Sequence, residues 1–86
     1  MILPTIIVKV YILKLQNGTY YTGITKNLDR RINEHESGKS KSTRHSLPCQ
    51  LIYWAECDGY RNARKQEKLI KNKGAERFLQ AQRFRK

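Results

Sequence analysis

The sequence is short of acid. Seven Asp and Glu stand against eighteen Lys and Arg in 86 residues, leaving a formal net charge of +11. That imbalance argues about partners rather than fold, and it favours polyanions, because each neutralised phosphate releases counterions. Long apolar runs are missing too. The most apolar stretch, residues 2–15, is interrupted by Pro4, Thr5, Lys9 and Lys14. It cannot span a bilayer, and it lacks the basic start and small-residue cleavage pattern of a secretory signal. No stretch pairs a strongly basic face with Trp or Phe on an apolar one, so a membrane surface is a poor partner. A cytoplasmic protein with no membrane partner is the expectation. Cysteine is scarce: only Cys49 and Cys57 occur. No His or Cys cluster at zinc spacing accompanies them. One disulfide is allowed by count, but two reduced, partly buried thiols suit the cytosol better.

What is present suffices for one small core. The apolar fraction is 38%, and the length predicts a single domain over residues 1–86. Residues 8–15 are β-branched and apolar, Gln16-Asn17-Gly18 supplies a turn, and residues 19–25 resume strand character, which together read as a β-hairpin. Asn27 can cap a helix starting at Leu28, with Asp29 in its first turn and Gly38 as its stop. Residues 39–48 are polar and basic and read as a loop. Residues 49–57 form a third strand, broken by Asp58-Gly59. A helix over 61 to about 72 ends at Gly74, and a short last helix covers 75–84. The order β-β-α-β-α-α predicts an α+β fold, a small three-stranded, mostly antiparallel sheet flanked by helices. Tyr53 and Trp54, placed in what reads as a central strand, are expected in the core.

Some residues sit where a purely structural helix would not put them. Leu28 and Ile32 define a buried stripe on the first helix, and Arg31 and His35 fall on its margin, one turn apart on the same side. A packing role would have Arg31 lay its stem over the core edge and His35 rest as a satisfied boundary residue. On the second helix Ala63 and Ile70 mark the buried stripe. Glu67 lies beside it among Arg64, Lys65, Lys68, Lys71 and Lys73. An ordinary i,i+4 ion pair with Lys71 would explain it. So would a divalent cation, without which a carboxylate in a phosphate-binding surface repels the ligand. Tyr11, Tyr20 and Tyr21 add phenols to the hairpin. A two-residue turn sets Tyr11 on the face of Tyr20, and a three-residue turn with a left-handed glycine sets it on the face of Tyr21.

Taken together these residues resemble the GIY-YIG nuclease superfamily, and specifically its small bacterial members predicted to be endonucleases. Lys9-Val10-Tyr11 and Tyr21-Thr22-Gly23 match the two signature strands. Residues 28–35, reading LDRRINEH, match the helix motif, followed by Ser37-Gly38-Lys39. Lys41-Ser42-Thr43, Leu51-Ile52-Tyr53, residues 63–68 (ARKQEK) and residues 74–79 continue the likeness, which spans roughly residues 8–80. Lys9 and Thr22 depart from the signature tripeptides without removing a chemical group, and a later Asn of some repair-type members has no counterpart. The resemblance implies catalytic roles for Tyr11 and Tyr21, one of them helping to deprotonate the attacking water. It implies phosphate binding by Arg31, hydrogen bonding and proton sharing by His35, and a single Mg2+ or Mn2+ held by Glu67.

The function so implied is a divalent-metal-dependent DNA endonuclease, structure-directed or weakly sequence-specific, since no segment reads base sequence. The alternative is a non-catalytic basic nucleic-acid-binding domain that keeps the fold. Lys41, Arg44, Arg64, Lys65, Lys68 and Lys71 are the expected grips on DNA, with RNA, a partner protein or a homodimer left open. A phenol with an ordinary pKa near 10 is a poor base at neutral pH. It serves only if nearby positive charge lowers that value or if His35 relays the proton.

Overall fold

Residues 7–14 of the apolar run become the centre of the sheet. In the computed structural model, described over residues 6–83, strand β1 (Ile7–Lys14) lies between β2 (Tyr20–Thr25) and β3 (Gln50–Asp58), and both neighbours run antiparallel to it. A strand buried on both faces can be apolar throughout instead of alternating, which is what VYIL at positions 10–13 supplies. Val10 and Ile12 pack with Ile70 and Phe78 on one face, and Tyr11, Leu13 and Leu15 pack with Leu28 on the other. The element order is the one the sequence predicts, with one extra 3-10 turn at Arg44–Ser46.

The hairpin turn decides which phenols meet. Leu15 N–H donates to the Thr19 carbonyl at 2.8 Å, and Gly18 N–H donates to the Leu15 carbonyl at 3.0 Å. The loop is therefore the three-residue one, and Gly18 takes φ +88°, where a side chain would be strained. The register that follows pairs Tyr11 with Gly23 and Leu13 with Tyr21, so Tyr11 and Tyr21 share a face.

Helix α1 (Leu28–Glu36) starts at Asn27, whose side chain accepts from Arg30 N–H at 3.1 Å. It ends in a Schellman arrangement, with Gly38 N–H on the His35 carbonyl and Lys39 N–H on the Glu34 carbonyl. Helices α2 (Gly59–Lys73) and α3 (Ala75–Arg83) meet at Gly74 and are built on Ala63, Ile70 and Phe78. The second helix begins two residues before the position expected from composition, and Phe84, expected in the last helix, lies outside the described residues.

Two placements differ from expectation. β3 is an edge strand rather than a central one, and Trp54 is 50% exposed. The doubly apolar β1 claims the centre, and alternation along β3 sends neighbours to opposite faces. Tyr53 goes towards α3, where it meets Phe78 edge-on at 5.1 Å, while Trp54 goes the other way. His35, placed on the margin of α1 by the wheel, is fully buried. The two thiols are free and half-buried, Cys49 against the Tyr11 cluster and Cys57 against the Val10 cluster, so they stand on opposite faces of the sheet.

Candidate active site

Four of the sequence-predicted residues converge on the α1 face of the sheet. Tyr11 is 1% exposed, and its hydroxyl lies 2.9 Å from His35 Nε2. The Tyr11 and Tyr21 ring centroids are 6.2 Å apart, and the His35 imidazole meets both rings edge-on, at 5.8 Å from Tyr11 and 5.1 Å from Tyr21. Close approach is what makes room for this. A Cβ on Gly23, directly across from Tyr11, would lie 2.6 Å from its hydroxyl and 2.7 Å from Cζ. The glycine of the second signature strand is thus required by the phenol of the first.

The other imidazole nitrogen finds Thr43. Its hydroxyl lies 2.8 Å from His35 Nδ1, and both residues are fully buried. Both ring nitrogens have partners, and no buried side-chain polar atom among the described residues is left unpaired. Thr43 belongs to the loop whose Lys41 and Arg44 are the expected grips on DNA, and the resemblance includes it in Lys41-Ser42-Thr43 without giving it a role. The available signal is its place in that tripeptide, and no periodicity ties it to His35, because α1 ends at Glu36 and Thr43 lies in the loop beyond. The loop is tucked in elsewhere as well. Ser46 Oγ accepts from Asn17 N–H at 2.8 Å, and its carbonyl accepts from Gln16 N–H at 3.0 Å, which holds the hairpin turn. Lys41, just before these anchors, and Arg44, between them, stay exposed.

Burial pushes the Tyr11 phenol up to about 12, although the Arg31 guanidinium beside it pulls the other way. Burial, and then Arg31, hold His35 below the usual imidazole value, so it is neutral at physiological pH. Arg31 is half-exposed at the mouth of the site. Its charged form is favoured first by Glu34, whose Oε1 is 3.0 Å from Nη1, and then by the phenols. Glu34 also reaches Arg30 Nε at 3.5 Å, and these guanidinia, Arg31 first, keep its carboxyl below the ordinary range. Arg30, Arg31 and Glu34 line a cleft of about 310 Å³ together with Thr25 and Tyr60.

The remaining predicted residues are more dispersed. Glu67 is half-buried between Ala63 and Ile70, and its ion-pair partner is Lys71 at 3.3 Å. Lys71 in turn lines a cleft with Tyr20, Tyr21 and Thr22, which brings the end of α2 to strand β2. Arg64 lies over the Tyr60 ring. Lys68 is exposed, and Lys65 borders a different groove, with Tyr53 and Phe78. Among the described residues no three His, Cys, Asp or Glu side chains gather as a metal cage, and no helix is long and apolar enough to cross a membrane.

Comparison with known proteins places this geometry. Residues 8–79 match the model of the GIY-YIG catalytic domain. A UPF0213 protein of Streptococcus agalactiae is 41% identical over 64 residues, covering 73% of each chain. A UPF0213 protein of Desulfotalea psychrophila is 44% identical over 64 residues, covering 72% of this chain and 58% of that longer relative. The solution structure of a UPF0213 protein from Bacillus halodurans superposes with a TM-score of 0.55 at 34% identity, over 87% of this chain and 81% of its own. The matched span contains both signature strands, the Arg31–His35 helix and Glu67, and the chain belongs to the GIY-YIG nuclease family, with the UPF0213 proteins as its relatives.

Proposed function

We propose that this protein is a divalent-metal-dependent endonuclease that hydrolyses DNA phosphodiester bonds, directed by the structure of its substrate or only weakly by sequence. The observation that carries the reading is the buried chain Thr43–His35–Tyr11 ending beside Arg31. Hydrolysis needs an acceptor for the proton of the attacking water and positive charge on the non-bridging oxygens. Tyr11 cannot supply the first alone, since a phenol at about 12 is almost wholly protonated at neutral pH. His35 can complete it. With Nδ1–H donated to Thr43 Oγ1, Nε2 is the open acceptor, 2.9 Å from the Tyr11 hydroxyl. Tyr11 then passes its proton to His35 as it takes one from water. Tyr21 walls the imidazole on its other side, and Arg31 exchanges the Glu34 carboxylate for the scissile phosphate.

The donor set suits a magnesium-type ion. Mg2+ keeps several waters and takes one or two carboxylates plus substrate phosphates, so the single half-buried carboxylate of Glu67 in a basic surface fits it, whereas it would not fit a dedicated protein cage. Held by Glu67 and the substrate phosphate, Mg2+ or Mn2+ would supply further stabilisation of negative charge in the transition state. The same chemistry implies little metal affinity in the absence of DNA. Exposed Lys41, Arg44, Arg64 and Lys68 extend the field along which a phosphate backbone lies.

Plasmid relaxation with Mg2+ tests the reading. Wild type should nick supercoiled DNA, and Arg31→Ala and Glu67→Ala should each lose about 10²- to 10³-fold in rate. Activity surviving both substitutions would defeat it. Salt-sensitive DNA binding without cleavage under any divalent ion would establish the non-catalytic binding domain instead.

A further inference from the structure

Among the described residues two large aromatic side chains are exposed, and each carries a cation against its ring. Trp54 is 50% exposed, with Lys9 Nζ 5.2 Å from its ring centroid. Tyr60 is 39% exposed, with the Arg64 guanidinium 5.6 Å from its centroid. Ile6, Ile7 and Leu69 are also exposed, but position sets the two aromatic residues apart. Trp54 pairs directly with Tyr11 across β1 and β3, so it stands on the same face of the sheet as the Tyr11 phenol. Lys9 lies one step along that face, opposite Thr25, and Thr25 lines the cleft of Arg31. Tyr60, the second residue of α2, lines the same cleft. One surface therefore runs from Trp54 through Lys9 and Thr25 to Arg31, and on to Tyr60 and Arg64. It has an aromatic ring at each end and the guanidinium between them.

We propose that Trp54 and Tyr60 are nucleobase-stacking subsites flanking the scissile phosphate, and that the strand they hold is unpaired there. This rests on the nuclease reading above and names its substrate class. In a duplex each base face is covered by the next base pair, so a ring beside the backbone track can stack only on a base that has left the helix. Stacking is sequence-tolerant because every base has a π face, in keeping with a nuclease directed by structure or only weakly by sequence. The cations on the rings complement the phosphates on either side of such a base.

Trp54 is the sole tryptophan, so indole emission reports this subsite alone. The experiment titrates the protein, in EDTA to prevent cleavage, with fluorescein-labelled oligo-dT and with a blunt duplex of equal length. Anisotropy and tryptophan emission are read together. Oligo-dT should quench the emission with the midpoint of the anisotropy change, while the duplex binds without quenching. Trp54→Ala and Tyr60→Ala should each weaken oligo-dT binding about 5- to 150-fold and leave duplex binding unchanged. The Phe variants should restore most of the loss, as a general folding defect would not. Oligo-dT binding with full emission, or alanine variants that bind it like wild type, would overturn the stacking subsites and leave the nuclease reading standing. If neither oligonucleotide changes the anisotropy, both fall together.

Discussion

The two faces of the sheet are built from alternate residues of one strand, yet they work differently. Val10 and Ile12 enter an apolar cluster with Ile70 and Phe78, where burial itself is the stabilising term. Tyr11, between them, enters a face on which buried groups are held by specific partners, His35 by Tyr11 on one nitrogen and by Thr43 on the other. Apolar packing is non-directional and tolerates volume-conserving exchange. A buried hydrogen-bond chain does not, since each lost partner leaves a group unsatisfied at a cost of about 1–3 kcal/mol. The apolar cluster under α2 and α3 should therefore govern stability, and the hydrogen-bonded cluster under α1 activity.

The sharpest way to break that division is at Phe78, 4% exposed under Tyr53. Phe78→Ala should cost about 3–5 kcal/mol, a large share of the total for a domain this size. Phe78→Leu should cost less and keep the chain folded for assay. Urea unfolding gives the loss, and cleavage per folded molecule should be unchanged. A folded Phe78→Leu protein that no longer cleaves would show that the faces are not separable.

Gly23→Ala probes the other face. Its Cβ would fall 2.6 Å from the Tyr11 hydroxyl, so either β2 or the phenol must shift. Overpacking of this kind costs about 1–3 kcal/mol. Because the phenol carries the contact with His35, activity should fall by more than stability predicts. Equal losses in both would mean the strand yields rather than the site.

The fold was legible because its signals are local. The hairpin is announced by Asn17-Gly18 between apolar runs, and α1 by Asn27 and Gly38. The placement of Trp54 was not, because local alternation cannot reveal that β1, buried on both faces, takes the centre and leaves β3 at an edge. In the candidate site, helical periodicity singles out Arg31 and His35 and the likeness of spaced motifs adds Tyr11 and Tyr21, while periodicity alone leaves the choice between Tyr20 and Tyr21 open. The register, with Leu15 N–H on the Thr19 carbonyl and Leu13 opposite Tyr21, decides it. Thr43, though part of the likeness, gains no role from it because its contact with His35 is made by a loop that no period describes, and the burial of His35 itself depends on that loop folding back.

Thr43→Val sharpens the comparison by keeping shape and removing one hydroxyl. It leaves His35 Nδ1 without its partner, at a cost of about 1–2 kcal/mol, and frees the ring to turn away from Tyr11. Cleavage should fall with a changed pH profile. The His35 shift also sets a stability window. Its pKa is lowered in the folded state, so the stability it contributes is complete above about pH 6.5 and is lost as pH falls towards the lower folded value. Thermal unfolding between pH 5 and pH 8 should show that decline in wild type and a flatter curve in His35→Gln. A wild-type curve flat below pH 6.5 would contradict the buried neutral imidazole.

The smallest effect is expected at Glu34, where the site face meets solvent. Its carboxylate lies 3.0 Å from Arg31 and 3.5 Å from Arg30, occupying the guanidinium that the nuclease reading assigns to the scissile phosphate. A carboxylate and a phosphate compete for one fork geometry, so substrate must displace the first to reach Arg31. Glu34→Gln keeps the side chain's length and one acceptor oxygen while removing the charge. DNA affinity should rise about 1.5- to 5-fold, the scale of one exposed ion pair, with little change in the thermal midpoint. The same exchange predicts that the gain shrinks as salt rises, because screening weakens the Glu34 pair in wild type before anything is mutated. Weaker binding by Glu34→Gln would mean that the carboxylate orients Arg31 for the phosphate instead of competing with it. The boundary of the chemical face would then extend one residue further along α1.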